Sequence, residues 1–337
     1  MLSIRFDGEG YALAAGESVL ECLERHGRSI PSSCRAGVCQ SCLMQATDGI
    51  PPETAQIGLK PALKEQGYFL ACRWRPSETV AVKLPRVDDV TVSARIDAIA
   101  ELSRTVKSFR LTTDAAFPCI PGQYLSLIGP EHLVRSYSIA NQPDLDGHIE
   151  LHVRLVPGGR MSTWLHEQAA VGDGVRIRGP IGACCYARRT NKARPLVLAG
   201  TGTGLAPLHG IVLDALTHGH TGRIVIVHGG LRPADLYFTD RLTALAAKHR
   251  ELTYRPCVLG EAHESGFEVG HIEDVLLEEI ASAPGADVFL CGAPEFVNAA
   301  KRKAFLAGVS LARLHSDAFV MAASSPAQAS EPRQRAS

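Results

Sequence analysis

The chain has 337 residues, too many for one ordinary core, so at least two domains are expected. Apolar residues make up 45% and charged residues 21%, a globular balance. Lys plus Arg number 35 and Asp plus Glu 35, which excludes the basic excess of a nucleic-acid binder.

Arg5, Asp7, Glu9 and Glu17 break up the first twenty residues, leaving no apolar leader core, so a cytoplasmic protein is expected. In that reducing compartment disulfides are disfavoured. The first unit, residues 1–86, opens with a strand at "LSIRFDG" and a second short strand. A helical run follows Glu17 and Ser18, with Val19, Leu20 and Leu23 on one face. "VAVKLPRVDDV" closes the unit as a strand and a polar linker.

Residues 91–188 read as six short strands: "TVSARIDAI", "SFRLTTD", "QYLSLIG", "RSYSIAN", "HIELHVRLV" and "GVRIRGPIG". The fifth alternates cleanly, with Ile149, Leu151, Val153 and Leu155 opposite His148, Glu150, His152 and Arg154. An antiparallel barrel with one helical interruption near "MSTWLHEQA" is expected.

Residues 194–321 change character. "PLVLAG", "RIVIVHGG", "LTYRPCVL" and "DVFLCGAP" are apolar runs separated by helical patterns, which points to a parallel sheet covered on both faces. "HIEDVLLEEI" sets Ile272, Val275, Leu276 and Ile280 on one helix face. The uncharged stretch from Pro195 to Leu213 is long enough for a membrane helix, but its glycines and Pro207 read as strand, turn and helix start. The tail, 322–337, is small and polar and is expected to be disordered.

The thiols carry the sharpest signal. "SCRAGVCQSCLMQATDG" holds Cys34, Cys39 and Cys42, and Cys72 follows in "GYFLACRW". The pattern C-x4-C-x2-C, 29 residues, C is that of a plant-type 2Fe–2S site. A structural zinc site would show two C-x-x-C knuckles, and here only Cys39 and Cys42 make one. Gly37 relieves a loop that must aim amides at sulfur. Gln40 stands where such loops carry a small residue, a feature that bears on solvent access or potential. Cys22, Cys119, Cys184, Cys185 and Cys257 read as apolar fillers. The vicinal Cys184 and Cys185 are read as strand packing, with no partner thiol evident nearby.

Arg135 in "RSYS" can neutralise a pyrophosphate, and Tyr137 offers a flat face to an isoalloxazine ring. In "PGGRMSTWL", Gly158 and Gly159 admit a phosphate, and Met161 and Ser162 open a helix whose N-terminus favours anions. "LVLAGTGTGLAPL" departs from the strict dinucleotide fingerprint, with Leu205 at the third glycine position. Its strand–turn–helix setting still makes Gly200, Thr201, Gly202, Thr203 and Gly204 candidates for a nucleotide pyrophosphate. "FLCGAP" puts Cys291 and Gly292 at the carboxyl edge of the sheet, where ligands of open parallel sheets bind.

With these motifs the chain resembles the reductase component of multicomponent oxygenases, over about residues 1–321. That family joins a plant-type ferredoxin domain to a ferredoxin–NADP reductase-like module. The resemblance implies a multidomain α+β and α/β protein: β-grasp ferredoxin domain, six-stranded FAD-binding barrel, and α/β NAD(P)H domain. It implies that Tyr137 stacks on the flavin, that Ser138 reaches its N5, and that Arg135, Ser136 and "GRMS" (Gly159, Arg160, Met161, Ser162) hold the pyrophosphate. It places Cys291 near the nicotinamide and Phe319, in "HSDAF", over the other flavin face, from which it must move. Tyr137, Ser138, Cys291 and Phe319 are thus the candidate catalytic residues. His152 and Arg154 join the candidate cofactor contacts.

Hydride from a nicotinamide arrives as two electrons and a cluster accepts one, so a flavin between them splits the pair. The implied cofactors are a 2Fe–2S cluster, FAD and NADH, with NADPH open. Arg232 could hold a 2′-phosphate and Asp235 a ribose diol. The implied partner is a protein electron acceptor, a terminal oxygenase or its ferredoxin. The alternatives are the reductase of a deoxysugar dehydrase and a redox sensor without turnover. No nucleic acid or membrane partner is expected, and a monomer is. Residues 1–85 balance nine Lys and Arg against nine Asp and Glu, and Arg35, Arg73 and Arg75 beside the cysteines would form a basic rim for an acidic acceptor.

Overall fold

The computed structural model describes residues 2–130, 133–188, 191–260 and 266–320. The expected tail, 322–337, lies outside the described residues.

The first unit comprises β1 (Ser3–Phe6), β2 (Glu9–Ala12), α1 (Val19–Arg25), β3 (Leu43–Asp48), α2 (Pro61–Glu65), β4 (Tyr68–Leu70) and β5 (Val80–Lys83). Its sheet runs β2-β1-β5-β3-β4, with β1 and β5 parallel and the other pairs antiparallel. Helix α1 starts where it does because Ser18 and Glu21 form a capping box. Its buried Val19, Leu20, Cys22 and Leu23 seal a core with Ile4, Phe69, Leu70 and Val80, all drawn from this unit. The pairing of Leu43 with Leu70, together with an Ala71 N–H donated to the Cys42 carbonyl (2.9 Å), brings the distant Cys72 to the cysteine loop. The expected linker forms one helical turn, α3 (Val87–Val90), pinned to the barrel by the ion pair Arg176–Asp88 at 2.6 Å.

All six expected strands of the middle unit are present: β6 (Val92–Ser103), β7 (Val106–Thr113), β8 (Tyr124–Ile128), β9 (Val134–Ser138), β10 (Ile149–Arg154) and β11 (Gly174–Ile181). Helices α4 (Pro143–Asp146) and α5 (Arg160–Glu167) flank β10. The order β10-β7-β6-β11-β8-β9 closes through a bridge from Ile139 to Leu151. Alternate residues such as Leu125, Leu127, Ile149, Leu151 and Val153 fill the interior.

The last unit is a six-stranded parallel sheet with its first strand near the centre and its last at one edge. In chain order it contains β12 (Leu196–Thr201), α6 (Leu205–Thr217), β13 (Ile224–Gly230), α7 (Thr239–Lys248), β14 (Leu252–Val258), β15 (Glu268–Val269), α8 (Ile272–Ser282), β16 (Asp287–Gly292), α9 (Pro294–Leu306) and β17 (Leu314–Ala318). Both faces are covered. Leu196, Leu198, Ile224 and Ile226 pack with α6 and α7, while Val197, Ala199, Val225 and Val227 pack with α8 and α9. Each such buried side chain contributes about 1.5–3 kcal/mol, so the continuous apolar runs are what a doubly covered sheet requires. The edge strands β15 and β17 go beyond the four runs legible in the sequence. Among the described residues no helix is long and apolar enough to cross a membrane, and Pro195–Leu213 resolves into strand, turn and helix.

Candidate redox site

The four cysteines converge as two pairs. The Cys34 thiol lies beside that of Cys39, and the Cys42 thiol beside that of Cys72. Backbone amides aim at the sulfurs: Ala36 N–H (3.4 Å) and Cys39 N–H (3.3 Å) donate to Cys34 Sγ, and Cys34 N–H donates to Cys39 Sγ (3.4 Å). The neighbouring Cys39 thiol, and then these amides, push the Cys34 thiol down to about 5. Cys39 and Cys42 move up, because each holds the shared proton of its pair and is buried.

Two thiol pairs suit two irons, each taking two thiolates, with amide donors tempering the charge on sulfur. The loop makes its turns with three left-handed residues: Arg35 (φ 52°), Gly37 (φ 79°) and Gln40 (φ 55°). Gly37 is required because a Cβ there would stand 2.7 Å from Arg73 Cγ. Gln40 is buried, and its Nε2 donates to the Gly58 carbonyl at 2.8 Å, so the unusual side chain staples the loop to the neighbouring segment.

The loop docks on the barrel through its carbonyls. Tyr124 Oη donates to Val38 O (2.9 Å), Ser126 Oγ and Ser136 Oγ approach Cys39 O (3.3 and 3.5 Å), and Arg178 Nη2 donates to Gln40 O (2.5 Å). Ser136, Ser126 and Arg178 face each other across β9, β8 and β11. Ser136 belongs to "RSYS". The strand that offers Tyr137 to a flavin therefore touches the cysteine loop through the adjacent residue.

On that strand Arg135 is half-buried, with Nη1 donating to Val134 O (2.7 Å). Tyr137 packs against the barrel core, and burial raises its phenol. Ser138 donates to the carboxylate of Asp317 on β17, and burial lifts that carboxyl to about 6 despite this bond. Helix α5 begins after Gly159 with no side-chain cap and no acid in its first turn, a setting whose dipole favours an anion. The side chains of Met161 and Ser162 point away from that task. Met161 is buried in the barrel core, and Ser162 Oγ accepts from Val156 N–H (3.1 Å) and donates to Gly159 O (3.0 Å). Gly159 is demanded by this turn, since a Cβ there would meet Ser162 Oγ at 2.7 Å, while Gly158 (φ 70°) faces open space. Arg160 opens the helix.

The nucleotide loop is built by mutual packing. A Cβ on Gly204 would strike the Cys291 carbonyl, and one on Gly292 (φ 131°) would lie 2.6 Å from Thr201 Oγ1. Gly200 is equally closed, with Leu208 Cδ1 at 2.7 Å. The turn Gly202–Thr203–Gly204 leads directly into α6. A Cβ on Gly202 would meet Arg154 Nη1 at 3.5 Å, so this arginine of β10 stands over the phosphate-sized turn. His152 is placed differently. Its Nε2 donates to Glu150 (3.0 Å), and its Nδ1 then accepts from Tyr237 Oη (3.0 Å), so its ring is committed to the seam between barrel and nucleotide unit. Phe319 N–H donates to Gly292 O (2.8 Å), which pins the end of the described chain beside the carboxyl edge of the sheet. Arg232 and Asp235 pair with each other (3.4 Å) on the exposed surface after β13.

Residues 4–77 match a 2Fe-2S iron-sulfur cluster binding domain, 93–186 an oxidoreductase FAD-binding domain, and 198–302 an oxidoreductase NAD-binding domain. Over 313 residues the chain is 33% identical to the ferredoxin–NAD(P)+ reductase component of a naphthalene 1,2-dioxygenase system from Pseudomonas putida, covering 91% of this chain and 94% of that one. The chain belongs to the reductase components of oxygenase systems. It is an NAD(P)H-dependent iron–sulfur flavoprotein with FAD and a 2Fe–2S cluster as its cofactors. The toluate 1,2-dioxygenase electron transfer component of P. putida is 31% identical over 91% of this chain and 94% of its own. Among solved structures, an Amycolatopsis cytochrome P450 reductase superposes with a TM-score of 0.68 at 29% identity, covering 95% of this chain and 99% of that one.

Two sequence readings of this reductase need correction. Cys184 does have a partner thiol: its Sγ lies 3.7 Å from that of Cys291, which is fully buried and raised by burial and by Cys184 itself. The basic rim is largely neutralised, because Arg35 pairs with Glu24 (2.8 Å) and Arg75 with Glu21 (2.9 Å). Sequence reasoning also missed Asp317, Tyr124, Ser126 and Arg178. Only Asp317 carried a signal, as the acid inside "HSDAF".

Proposed function

We propose that this reductase draws electrons from NADH and delivers them singly to the oxygenase component, or its ferredoxin, of an aromatic-compound oxygenase. The observation that carries the reading is the seating of the cysteine loop on the flavin strand, with Cys39 and Tyr137 separated by one hydroxyl contact at Ser136. When bound, FAD accepts a hydride and releases its electrons one at a time to the cluster.

The chain's own residues prepare that exchange. The N-terminus of α5, together with Arg135 and Arg160, would hold the FAD pyrophosphate; the lack of an acid and of a side-chain cap in its first turn supports this. Tyr137 would lie against one ring face, and Ser138, whose hydroxyl proton goes to Asp317, would lie near the ring edge. Gly202–Gly204 and Arg154 would hold the nicotinamide pyrophosphate, and Cys291 and Gly292, packed against Gly204 and Thr201, would lie near its ring. Phe319, held by its N–H at Gly292, would cover the other flavin face and would have to move to admit a nicotinamide. Cys34, Cys39, Cys42 and Cys72 hold the cluster. Asp235, beside Arg232 after β13, would accept the ribose diol of NADH.

The test supplies the anaerobic protein with NADH or NADPH and with purified acceptors. An aromatic-ring oxygenase should be reduced, with kcat/KM for NADH about tenfold or more above that for NADPH, the worth of one contact near 1.4 kcal/mol. Reduction of a deoxysugar dehydrase alone would overturn the acceptor assignment. Bound cofactors without flux to any acceptor would mark a sensor.

A further inference from the structure

Among the described residues Arg178 is the one buried arginine. It lies on β11, whose Val175 and Ile177 face the barrel core, so its alternation points Arg176 and Arg178 outward. Arg176 finds Asp88 there. Arg178 is only 8% exposed, covered by the cysteine loop, and no salt bridge to a carboxylate reaches it among the described residues. Nη2 donates to Gln40 O at 2.5 Å, while Nε is buried with no acceptor. Burial pushes this guanidinium down to about 10, and the charges that oppose the shift are Cys42 and Cys39.

The half-buried Arg255 of β14 is treated differently. Arg255 receives three carboxylates, Glu268, Glu278 and Glu279. A desolvated cation without such partners is costly unless a negative group stands beside it. The group that fits is the cluster. Its net charge is negative and grows more negative on reduction, and net charge and hydrogen bonding set its potential.

We propose that Arg178 is a positioning residue that serves as the buried counter-charge of the 2Fe–2S cluster, raising its reduction potential so that electrons run from the flavin domain into it. The left-handed Gln40 turns its carbonyl to Arg178 and so fixes the cation at the ligand loop. The charge sits on the barrel side of the loop and is fully expressed only while the two units are docked. This inference rests on the cofactor set but not on which acceptor the reductase serves.

The experiment is an anaerobic redox titration of the cluster in the full-length holoprotein, followed by electron paramagnetic resonance and visible absorbance. Wild type is compared with Arg178→Gln, Arg178→Met and Arg178→Lys. The neutral variants should shift the cluster potential negative by at least a tenfold change in its reduction equilibrium, 59 mV for one electron. Arg178→Lys should keep most of the wild-type value, and the shift should persist in high salt because the charge is buried. Neutral variants with an unshifted potential would overturn the proposal, as would Arg178→Lys shifting with them. If the neutral variants lose the cluster and Arg178→Lys retains it, the charge is needed even for assembly, and the proposal stands. Loss in all three would assign the role to guanidinium shape and overturn it. A failed acceptor assay leaves these potentials unaffected, so the two readings fail separately.

Discussion

The barrel meets its two neighbours in opposite ways. Toward the nucleotide unit it shares a core: Val106, Cys184 and Tyr186 pack with Leu196, Leu208, Ile211 and Phe289, and His152 is enclosed by Tyr237 and Phe238. Toward the cysteine unit it shares no core cluster. That unit closes its own core, and the seam consists of side-chain donors on the carbonyls of Val38, Cys39 and Gln40, with Lys60 Nζ donating back to Gly179 O (2.9 Å). An apolar seam fixes geometry, which hydride transfer between nicotinamide and flavin requires. A polar seam resembles a transient interface, which suits a cluster that must face a flavin and then a separate protein.

The comparison is tested most severely by disabling one side alone. Cys72→Ser should remove the cluster, its absorbance and all delivery to the acceptor, while NADH still bleaches the flavin; iron analysis and anaerobic spectra read both. Gly204→Ala attacks the other side. Its Cβ would press on the Cys291 backbone, which cannot swing away, so overpacking of about 1–3 kcal/mol should lower the melting temperature and raise KM for NADH without loss of iron.

Acid should separate the seams more gently. Burial lowers His152, and takes His209 to about 4 and His228 to about 3. A folded-state pKa below the unfolded value of 6.5 means stability that is present above that pH and lost as pH falls below it. Asp317, raised from 3.8 to about 6, works in the opposite sense, one group against these three histidines and His220 and His315, which burial also lowers. Calorimetry at pH 7 and pH 5 should show the barrel–nucleotide transition falling, while the cysteine unit, whose seam contacts include no histidine, moves less. The smallest effect belongs to Ser126→Ala. It removes one hydrogen bond to Cys39 O, worth about 0.5–1.5 kcal/mol, and should slow cluster reduction severalfold in stopped flow with flavin reduction unchanged.

Much of this was legible before any coordinates. The cysteine spacing, the alternation of 148–156 and the glycine turn after "LVLA" each report local requirements of ligand geometry, pleat or helix start, and each has its counterpart in the fold. What a period of two does not say is what covers the outward face. Arg178, Ser126 and His152 all sit at polar positions of alternating strands, yet each is buried by another unit. Cys184 and Cys291 are 107 positions apart, and no local pattern announces their contact. Gln40 was visible as a departure, but its purpose depended on Gly58 and Arg178.

The central claim is that electrons pass inside one chain from a nicotinamide-reduced flavin to the cluster docked on its strand. Anaerobic stopped flow with NADH, following flavin and iron–sulfur absorbance together, tests it most directly. The account predicts flavin bleaching followed by cluster bleaching at a rate independent of protein concentration. Cluster reduction that scales with protein concentration, or a cluster that stays oxidised beside a reduced flavin, would contradict it.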